Sequence, residues 1–307
     1  MLTALLCLGA VLLDRWRGEL RQWHPLVGFG QLARRVEALA YGPPELSARD
    51  RRRRGIGAVV LLLVPFTITA WLLAAIPLLG LAVALGLLYL AIGARSLAKH
   101  AEAVAAALHA GDLPLARVRA ALIVSRDTDD LDEEQISRAT VESVLENGCD
   151  AIFGALFWFV LAGAAGVVLY RLTNTLDAMW GYRTPRYQDF GWAAARLDDG
   201  LNWLPARLTA LGYTLSGTQP ALAWRCWREQ ASGWKSPNAG LVMAAGAGAL
   251  GLALGGRARY HGAWQARPPL GEGLAPRAED IRRAVQLVQR TLWLWLAVIL
   301  LGGLILA

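Results

Sequence analysis

Long apolar stretches alternate with polar, charged stretches along the chain. The longest apolar stretch, residues 56–94, holds about twice the roughly 20 residues that a helix needs to cross a bilayer. We therefore predict a helical hairpin there, with Pro77 and Gly80 near its bend. The remaining apolar segments cover residues 2–13, 151–170, 239–256 and 291–307.

Charged, amphipathic sequence follows the predicted hairpin. Residues 95–150 predict two or three helices, separated at Gly111 and around Arg126. Asp130 is placed to cap the next helix, and Glu133, three residues later, would complete a capping box. This polar segment is one of two that we expect to carry the chemistry of the protein.

The second polar segment, residues 171–238, raises a question of topology. Lys and Arg are enriched in cytoplasmic loops, so the run Arg51–Arg54 predicts a cytoplasmic loop before the hairpin, and residues 95–150 return to the same side. A simple crossing by residues 151–170 would put the basic segment 171–238 outside. We expect instead that residues 151–170 fold back or re-enter, with Gly163 and Gly166 permitting the bend.

Composition agrees with a membrane protein. Charged residues make up 18% of the 307 residues, whereas a soluble domain has about 25%. The net charge of +7 suits an anionic membrane surface or an anionic substrate. Nucleic acid is not an expected partner, because neither an RNA-binding aromatic motif nor zinc-finger spacing is present. The three cysteines are far apart, which favours isolated, buried residues in a reducing compartment.

These patterns predict an all-α fold: a polytopic integral membrane helical bundle with amphipathic cytoplasmic or interfacial helices, in one membrane-embedded domain of residues 1–307. Residues 2–13 are apolar, but no basic residue precedes them and no small-residue cleavage site follows. We expect them to be a retained first helix, short for a full span.

Three acids share one face of the predicted helix after Arg126. Glu142, Glu146 and Asp150 follow at intervals of four, just before an apolar segment, and Asn147 lies beside them. Like charges at this spacing repel, so the pattern calls for a cation, either Mg²⁺ or arginine. A solvated helix face is the alternative.

Two further groups combine acids, amides and arginines. Asn174 and Asp177 are three residues apart and face the same way, although a helix cap would give the same pattern. The stretch from Arg196 to Arg207 includes adjacent acids and Asn202, which could hold a metal and an anion together. An ordinary polar loop is the alternative there.

The last group is Ser236-Pro237-Asn238, which opens the Gly- and Ala-rich segment. A helix N-terminus binds anions, but capping alone explains these residue types equally well. His24 is a single histidine in a basic segment, for which a packed histidine is the default interpretation. A P-loop and a GxSxG motif are absent from the sequence.

Taken in order, these blocks resemble the adenosylcobinamide-phosphate synthase (cobinamide synthase) family of cobalamin biosynthesis. The resemblance spans nearly the whole chain. Three positions depart from the family pattern: Ser125 replaces a glycine, Ala178 replaces a serine and Leu20 replaces a proline. The matching blocks are Val124 to Thr128, Glu142 to Asp150, Asn174 to Tyr182, Ala195 to Leu208, Ser236 to Gly240, and Asp14 with Gly18, Glu19, His24 and Pro25.

The resemblance implies an ATP-dependent amide ligase that joins adenosylcobyric acid to (R)-1-aminopropan-2-ol or its O-phosphate, with ATP as co-substrate, Mg²⁺ as activating ion and the corrinoid as substrate. It implies catalytic roles for Asp127, Glu142, Glu146 and Asp177, and metal binding by Asp150, Asp198 and Asp199. It implies binding of substrate or phosphate by Arg126, Thr128, Asn147, Asn174, Arg196, Asn202, Arg207, Ser236, Asn238 and His24.

We expect the protein in the cell inner membrane, multi-pass, with its active site facing the cytoplasm. The bilayer is an expected partner, and other late corrinoid-pathway enzymes and homo-oligomerisation are further hypotheses. Two alternatives to the enzyme stay open: a non-enzymatic regulatory membrane protein of the same family, and a transporter.

Overall fold

Helices dominate the computed structural model, which describes residues 1–19, 24–260 and 262–306 and is 75% helical. The all-α prediction is therefore confirmed. The helices are α1 (Leu2–Arg17), α2 (Pro25–Ala40), α3 (Ala48–Ala74), α4 (Leu79–Ala91), α5 (Ala94–His109), α6 (Leu113–Ala120), α7 (Glu133–Gly148), α8 (Gly154–Trp180), α9 (Tyr187–Phe190), α10 (Trp192–Ser216), α11 (Pro220–Gln230), α12 (Ala239–Leu250) and α13 (Ala278–Ile305).

Two small antiparallel ribbons interrupt this helical pattern between α12 and α13. The strand β1 (Leu254–Gly255) pairs with β4 (Pro269–Leu270), and β2 (Ala258–Tyr260) pairs with β3 (Ala263–Gln265). The sequence did not predict these strands, because segments of two or three residues are too short to show an alternating pattern.

The chain forms two compact units, each assembled from separated stretches. Unit 1 contains residues 1–93, 154–202 and 303–307, and unit 2 contains residues 94–153 and 203–302. The prediction of one domain stays a prediction.

Four helical stretches are long and apolar enough to cross a membrane, which indicates a membrane protein. Their bounds are Ala48–Ala74, Leu79–His109, Glu133–Trp180 and Ala278–Ile305. The first two contain the predicted hairpin, whose bend falls between Ala74 and Leu79. Gly80 is required there, because a Cβ at this position would overlap the Ala74 carbonyl oxygen.

The third stretch reverses its direction inside α8. Ala162 and Gly163 leave the helical conformation, and Gly163 has φ 60° and ψ −147°, a combination that is nearly restricted to glycine. A Cβ on Gly154 would overlap the hydroxyl of Tyr170, although a straight helix would hold these residues about 24 Å apart. The arms on either side of Gly163 therefore lie against each other. Re-entry of this hairpin into a membrane stays a prediction.

The start of α7 differs from the predicted capping box. The N-cap is Asp132, whose side chain accepts from the Gln135 amide at 2.8 Å, while the Asp132 amide donates to the Gln135 side chain at 3.0 Å. The prediction of Asp130 and Glu133 was wrong by two residues. Asp130 instead pairs with Arg259, which lies far away in the sequence.

The Gly- and Ala-rich segment forms α12, and every residue from Gly240 to Leu250 is buried within unit 2. Its small side chains allow close approach: Gly248 lies where a Cβ would meet the Ala223 backbone of α11. The helix is about 18 Å long, shorter than a bilayer core. Its αL C-cap is Gly251 (φ 67°, ψ 42°), after which the chain enters the ribbons, so the helix ends before the apolar segment 239–256 does.

Candidate functional site

Glu142 of α7 is the most enclosed acid of the motif residues in unit 2. Its side chain is 2% exposed and accepts four hydrogen bonds from three residues. The Arg267 guanidinium binds both oxygens, with Nη1–Oε2 at 2.8 Å and Nη2–Oε1 at 3.1 Å. The Gly255 amide donates to Oε1 at 2.8 Å, and Arg126 donates to Oε2. The carboxylate is thus compensated by two cations, and the cluster keeps a net positive charge.

Turn and strand geometry positions these donors. Gly255 ends β1 with φ 79°, a conformation that favours glycine, and this directs its amide toward Glu142. Arg267 precedes β4 and also donates to the carbonyls of Gly255 and Gly256, at 3.2 and 3.0 Å. Burial lowers the pKa of Arg267, but the Glu142 carboxylate outweighs burial and leaves that pKa raised, so the guanidinium stays charged.

Asp127 and Thr128 lie in the loop between α6 and α7, next to the Glu142 cluster in sequence. Asp127 donates its amide to the Arg259 carbonyl at 3.0 Å, and its Oδ2 accepts from the Gly262 amide at 2.7 Å. Thr128 is buried. A polar cavity of about 290 Å³ opens beside this loop, lined by Asp127, Asp129, Asp130, Leu131, Arg259 and Trp264.

The remaining acids of the α7 segment are less enclosed than Glu142. Glu146 and Asp150 are partly buried, and each has further interactions. The Asn147 amide group donates to Ser143, to its carbonyl at 2.9 Å and its hydroxyl at 3.1 Å. The sequence predicted that the row of acids needs a cation, either Mg²⁺ or arginine. At Glu142 that cation is arginine. The solvated-face alternative is wrong for Glu142 because that side chain is buried.

Asp198 is the centre of a second group of motif residues, in unit 1. Its oxygens accept from Asn174 Nδ2 at 3.4 Å and from Asn202 Nδ2 at 3.1 Å. The buried Asn202 accepts in turn from the Tyr170 hydroxyl at 2.8 Å. Burial, with a smaller contribution from the neighbouring Asp199, raises the pKa of Asp198 to about 6 despite the two amide hydrogen bonds that favour its charged form.

Three further motif residues lie near this network in the sequence: Asp177, Arg196 and Asp199. Arg196 pairs with Asp199 across one helical turn at 3.2 Å, and burial raises the pKa of Asp199. Asp177 lies near the end of α8, where Gly181 follows: a Cβ on Gly181 would overlap the Asp177 carboxylate. Glycine at 181 thus leaves room for the Asp177 side chain.

The structure excludes two of the alternatives left open by the sequence. Asn174 lies deep inside α8, so it is not a helix N-cap. Residues 196–207 lie within α10, so they are not a polar loop.

Ser236 and Asn238 lie at the start of α12. The Ser236 hydroxyl accepts from the amides of Asn238 and Ala239 at 3.3 and 3.2 Å, so this residue acts as a cap. Asn238 is the buried N-cap residue, without a side-chain capping bond. Their predicted role in binding an anion stays a prediction.

His24 caps α2, and Arg207 stacks on its own helix. His24 Nδ1 accepts from the Leu26 amide at 3.2 Å, and its Nε2 lies 3.9 Å from Glu19. Burial lowers the pKa of His24 more than Glu19 raises it, and Arg171 lowers it as well, which favours the neutral imidazole. Leu20, the departure beside this block, lies outside the described residues. Arg207 lies over the Trp203 ring at 4.0 Å.

Among the described residues, no three His, Cys, Asp or Glu side chains gather closely enough to form a metal cluster. Asp150 belongs to unit 2, whereas Asp198 and Asp199 belong to unit 1. The structure brings Arg126 and Glu142 together in unit 2, and Asn174, Asp198 and Asn202 together in unit 1.

Three residues that the sequence did not single out take part in these networks. Arg267 completes the Glu142 cluster, Arg259 lines the cavity beside Asp127, and Tyr170 supports Asn202. One feature of the sequence could have indicated a further arginine. Three acids at the start of an apolar segment need more positive charge than Arg126 alone supplies. The sequence offered no means of choosing Arg267 among the many other arginines.

Comparison with known proteins places these features in a family. The family model described as "CobD/Cbib protein" matches residues 7–288. A relative named cobalamin biosynthesis protein CobD from Chromobacterium violaceum is 62% identical over 96% of this chain and 95% of its own length. Proteins of the same name from Stutzerimonas stutzeri and Mycobacterium tuberculosis are 58% and 40% identical, over 96% and 90% of this chain and 96% and 88% of their own lengths.

No solved structure matches the chain. The sequence matches cover nearly its full length and include the Arg126–Glu142 cluster and the Asp198 network. The chain belongs to the CobD/CbiB family of cobalamin biosynthesis proteins.

Proposed function

We propose that this chain catalyses ATP-dependent amide formation between adenosylcobyric acid and (R)-1-aminopropan-2-ol or its O-phosphate. The observation that carries the proposal is the convergence of separated motif blocks in a member of a cobalamin biosynthesis family. Arg126 meets Glu142, and Asn174 meets Asp198 and Asn202. These are charge-bearing and amide side chains of the kind that bind phosphates, carboxylates and Mg²⁺.

The chemistry explains the need for ATP. A carboxylate is a poor acyl donor because the leaving group would be oxide. ATP with Mg²⁺ would supply a phosphoryl group to a carboxylate oxygen with loss of ADP, after which the amine displaces phosphate and gives up a proton. The protein must then bind phosphates, orient both substrates and accept that proton.

The Asp198 network has the donor types that Mg²⁺ requires. Mg²⁺ commonly takes one or two carboxylates, together with phosphate oxygens and water, and needs no cluster of three acids. Asp198 and Asp199 would supply the carboxylates, and the amides of Asn174 and Asn202 fix the orientation of Asp198. A cation there would offset the burial that raises the pKa of Asp198 to about 6.

Positive charge for the anionic substrates is available in both units. Arg196 is half-exposed, and its pairing with Asp199 is of the exposed type that contributes little stability, so it can turn to a phosphate. In unit 2, two arginines share the single carboxylate of Glu142, which leaves an uncompensated positive charge. We assign to Arg196 and to the Glu142 cluster the role of attracting the phosphate or carboxylate groups of the substrates.

His24 is suited to hydrogen-bond a substrate. Its Nδ1 accepts from the Leu26 amide, so the neutral imidazole carries its proton on Nε2 and can donate it in a hydrogen bond. The lowered pKa of His24 favours that neutral form. We place the reaction on the cytoplasmic face of the cell inner membrane, where ATP is available and where the basic segments are expected.

The test uses the full chain in nanodiscs with adenosylcobyric acid, ATP, Mg²⁺ and aminopropanol phosphate. We expect amide product and one ADP per amide. Asp198→Asn should lower turnover at least about tenfold, as loss of a metal-site group does. Glu146→Gln should also lower turnover, because Glu146 is assigned a catalytic role. The matched control Asp112→Asn changes an exposed N-cap to an equally good one and should keep full turnover.

Two results would defeat the proposal. Folded protein that forms no amide would exclude the ligase, and binding of the corrinoid without ATP consumption would favour the regulatory alternative. Full activity in both variants would leave the ligase intact but show that the metal site is elsewhere.

A further inference from the structure

The second half of α10 presents an apolar stripe on the outside of unit 2. Leu204, Leu208, Leu211 and Leu215 recur at intervals of four, three and four, so they lie along one face of the helix. With Trp203 they are between 36% and 64% exposed. A contiguous exposed stripe of this kind marks an interaction surface.

The opposite face of this helix half is buried and satisfied. Thr209 and Thr214 donate their hydroxyls to carbonyls one turn earlier, each at 2.8 Å, and the Tyr213 hydroxyl donates to the Leu145 carbonyl at 3.0 Å. The polar groups of this segment are therefore directed into the protein or back to the helix. The leucines are left on the outer face, which is the reverse of the arrangement in a water-soluble helix.

Contact with α13 fixes the depth of the stripe. A Cβ on Gly212 would lie 2.5 Å from Thr291 Cγ2 and 3.2 Å from Trp295 Nε1. Arg290 is the last charged residue of α13, so these contacts lie about 2–8 Å into its apolar half. Since α13 is a candidate membrane span, residues near Gly212 reach the depth at which that helix enters the bilayer.

The ends of the segment carry groups typical of a membrane interface. The sequence has no charged residue between Arg207 and Arg225. Arg207 stacks on Trp203 at one end, and at the other Trp224 packs against Trp227 with ring centroids 5.0 Å apart. Tryptophan and arginine concentrate at the headgroup level, where an apolar body and a polar tip are both accommodated.

We propose that residues 203–216 are a lipid-facing segment, with the leucine stripe in contact with acyl chains and with Arg207 at the headgroups. At about 21 Å, the segment is too short to cross the bilayer core. It is an embedded interfacial helix, which the four candidate spans do not include. The bilayer is favoured over a second copy of the chain because Gly212 packs this helix against α13, a candidate span that itself exposes Trp293, Val298 and Leu301.

The experiment measures the accessibility of nitroxide labels on the full chain in phosphatidylcholine–phosphatidylglycerol nanodiscs. Leu208→Cys, Leu211→Cys and Leu215→Cys are labelled one at a time; the native cysteines are buried, and the unsubstituted chain gives the background. Leu301→Cys on α13 is the lipid-exposed control, and Leu274→Cys in a polar-lined open cleft is the water-exposed control.

We expect collision with oxygen to exceed collision with nickel-EDDA at all three stripe positions, as at Leu301, and the opposite at Leu274. Preferential collision with nickel-EDDA at the stripe would show that it faces water and would overturn the proposal. Low collision rates with both reagents would show coverage by protein and would overturn it equally. Hydroxyl-radical footprinting of the unsubstituted chain gives an independent result: the stripe leucines should stay unoxidised in nanodiscs while Leu274 is oxidised.

Discussion

The Arg267 guanidinium binds both carboxylate oxygens of Glu142, at 2.8 and 3.1 Å, across 125 residues of sequence. Both side chains are nearly inaccessible to water, at 8% and 2% exposure. A buried ion pair of this kind adds little net stability over an apolar pair, yet removing one partner leaves a charge unpaired in a dry environment. The pair therefore ties the strand ribbons to α7.

Glu142→Gln should destabilise the protein strongly. The substitution leaves Arg126 and Arg267 without their counter-charge, and a cost of about 3 kcal/mol or more in the free energy of unfolding is expected. Titration with SDS in mixed micelles measures it. The control Glu134→Gln on the same helix removes an exposed pair with Arg138 and should change stability by less than about 0.5 kcal/mol. Equal effects of the two substitutions would contradict the account.

The stability of the protein should depend on pH through Asp198. An unfolded Asp has a pKa of about 3.9, whereas burial raises that of Asp198 to about 6. As pH rises from about 4 to above 6, the unfolded chain releases this proton first, so the wild type loses stability relative to Asp198→Asn. The difference should reach on the order of 1–3 kcal/mol at neutral pH, in EDTA.

Magnesium provides the internal control for that measurement. If Asp198 belongs to a Mg²⁺ site, added Mg²⁺ should reduce the gap between wild type and variant at neutral pH, because bound cation stabilises the carboxylate. A gap in EDTA that Mg²⁺ leaves unchanged would argue against metal binding at Asp198. The absence of any pH-dependent gap would contradict the burial of this carboxyl group.

Gly163→Ala should weaken the reversal within α8. Open space surrounds this glycine, so the cost is conformational rather than steric: φ 60° with ψ −147° is unfavourable for alanine by about 1–3 kcal/mol. Thermal unfolding monitored by circular dichroism measures the effect. Gly86→Ala in α4 also meets open space, but its conformation is helical, so it should stabilise by up to about 1 kcal/mol. A stabilised Gly163→Ala variant would show that the reversal is not intrinsic to position 163.

The local sequence pattern was sufficient to predict most helices and the position at which α8 reverses its direction. The hairpin bend at Gly80 and the bend at Gly163 follow from apolar runs and glycines that the sequence displays. The α7 cap was placed two residues early because Asp130 and Asp132 are equally good capping residues, and the difference depends on Arg259, which holds Asp130 from another segment. Choices of this kind need tertiary information.

The candidate site was also predicted only in part: the sequence indicated groups of residues that are close along the chain, but not the contacts between distant segments. The sequence placed Glu142 on a helix and Asp198 near an amide and arginines, but it did not predict that Asp198 lies on a helix, α10. The contact of Arg267 with Glu142 depends on how two ribbons of two or three residues fold, and no periodic pattern reports that. The leucine stripe of α10 was missed because its segment is shorter than a span and follows the charged residues between Arg196 and Arg207 on the same helix.

The route of the substrate oxygen is the most direct measurement of ATP-driven amide formation by this chain. Adenosylcobyric acid labelled with ¹⁸O in its free carboxylate is converted in nanodiscs with ATP, Mg²⁺ and aminopropanol phosphate, and the released inorganic phosphate is analysed by mass spectrometry. Activation by phosphoryl transfer predicts one ¹⁸O atom in phosphate for each amide formed. Amide formation with unlabelled phosphate, or with the ¹⁸O recovered in AMP, would contradict it.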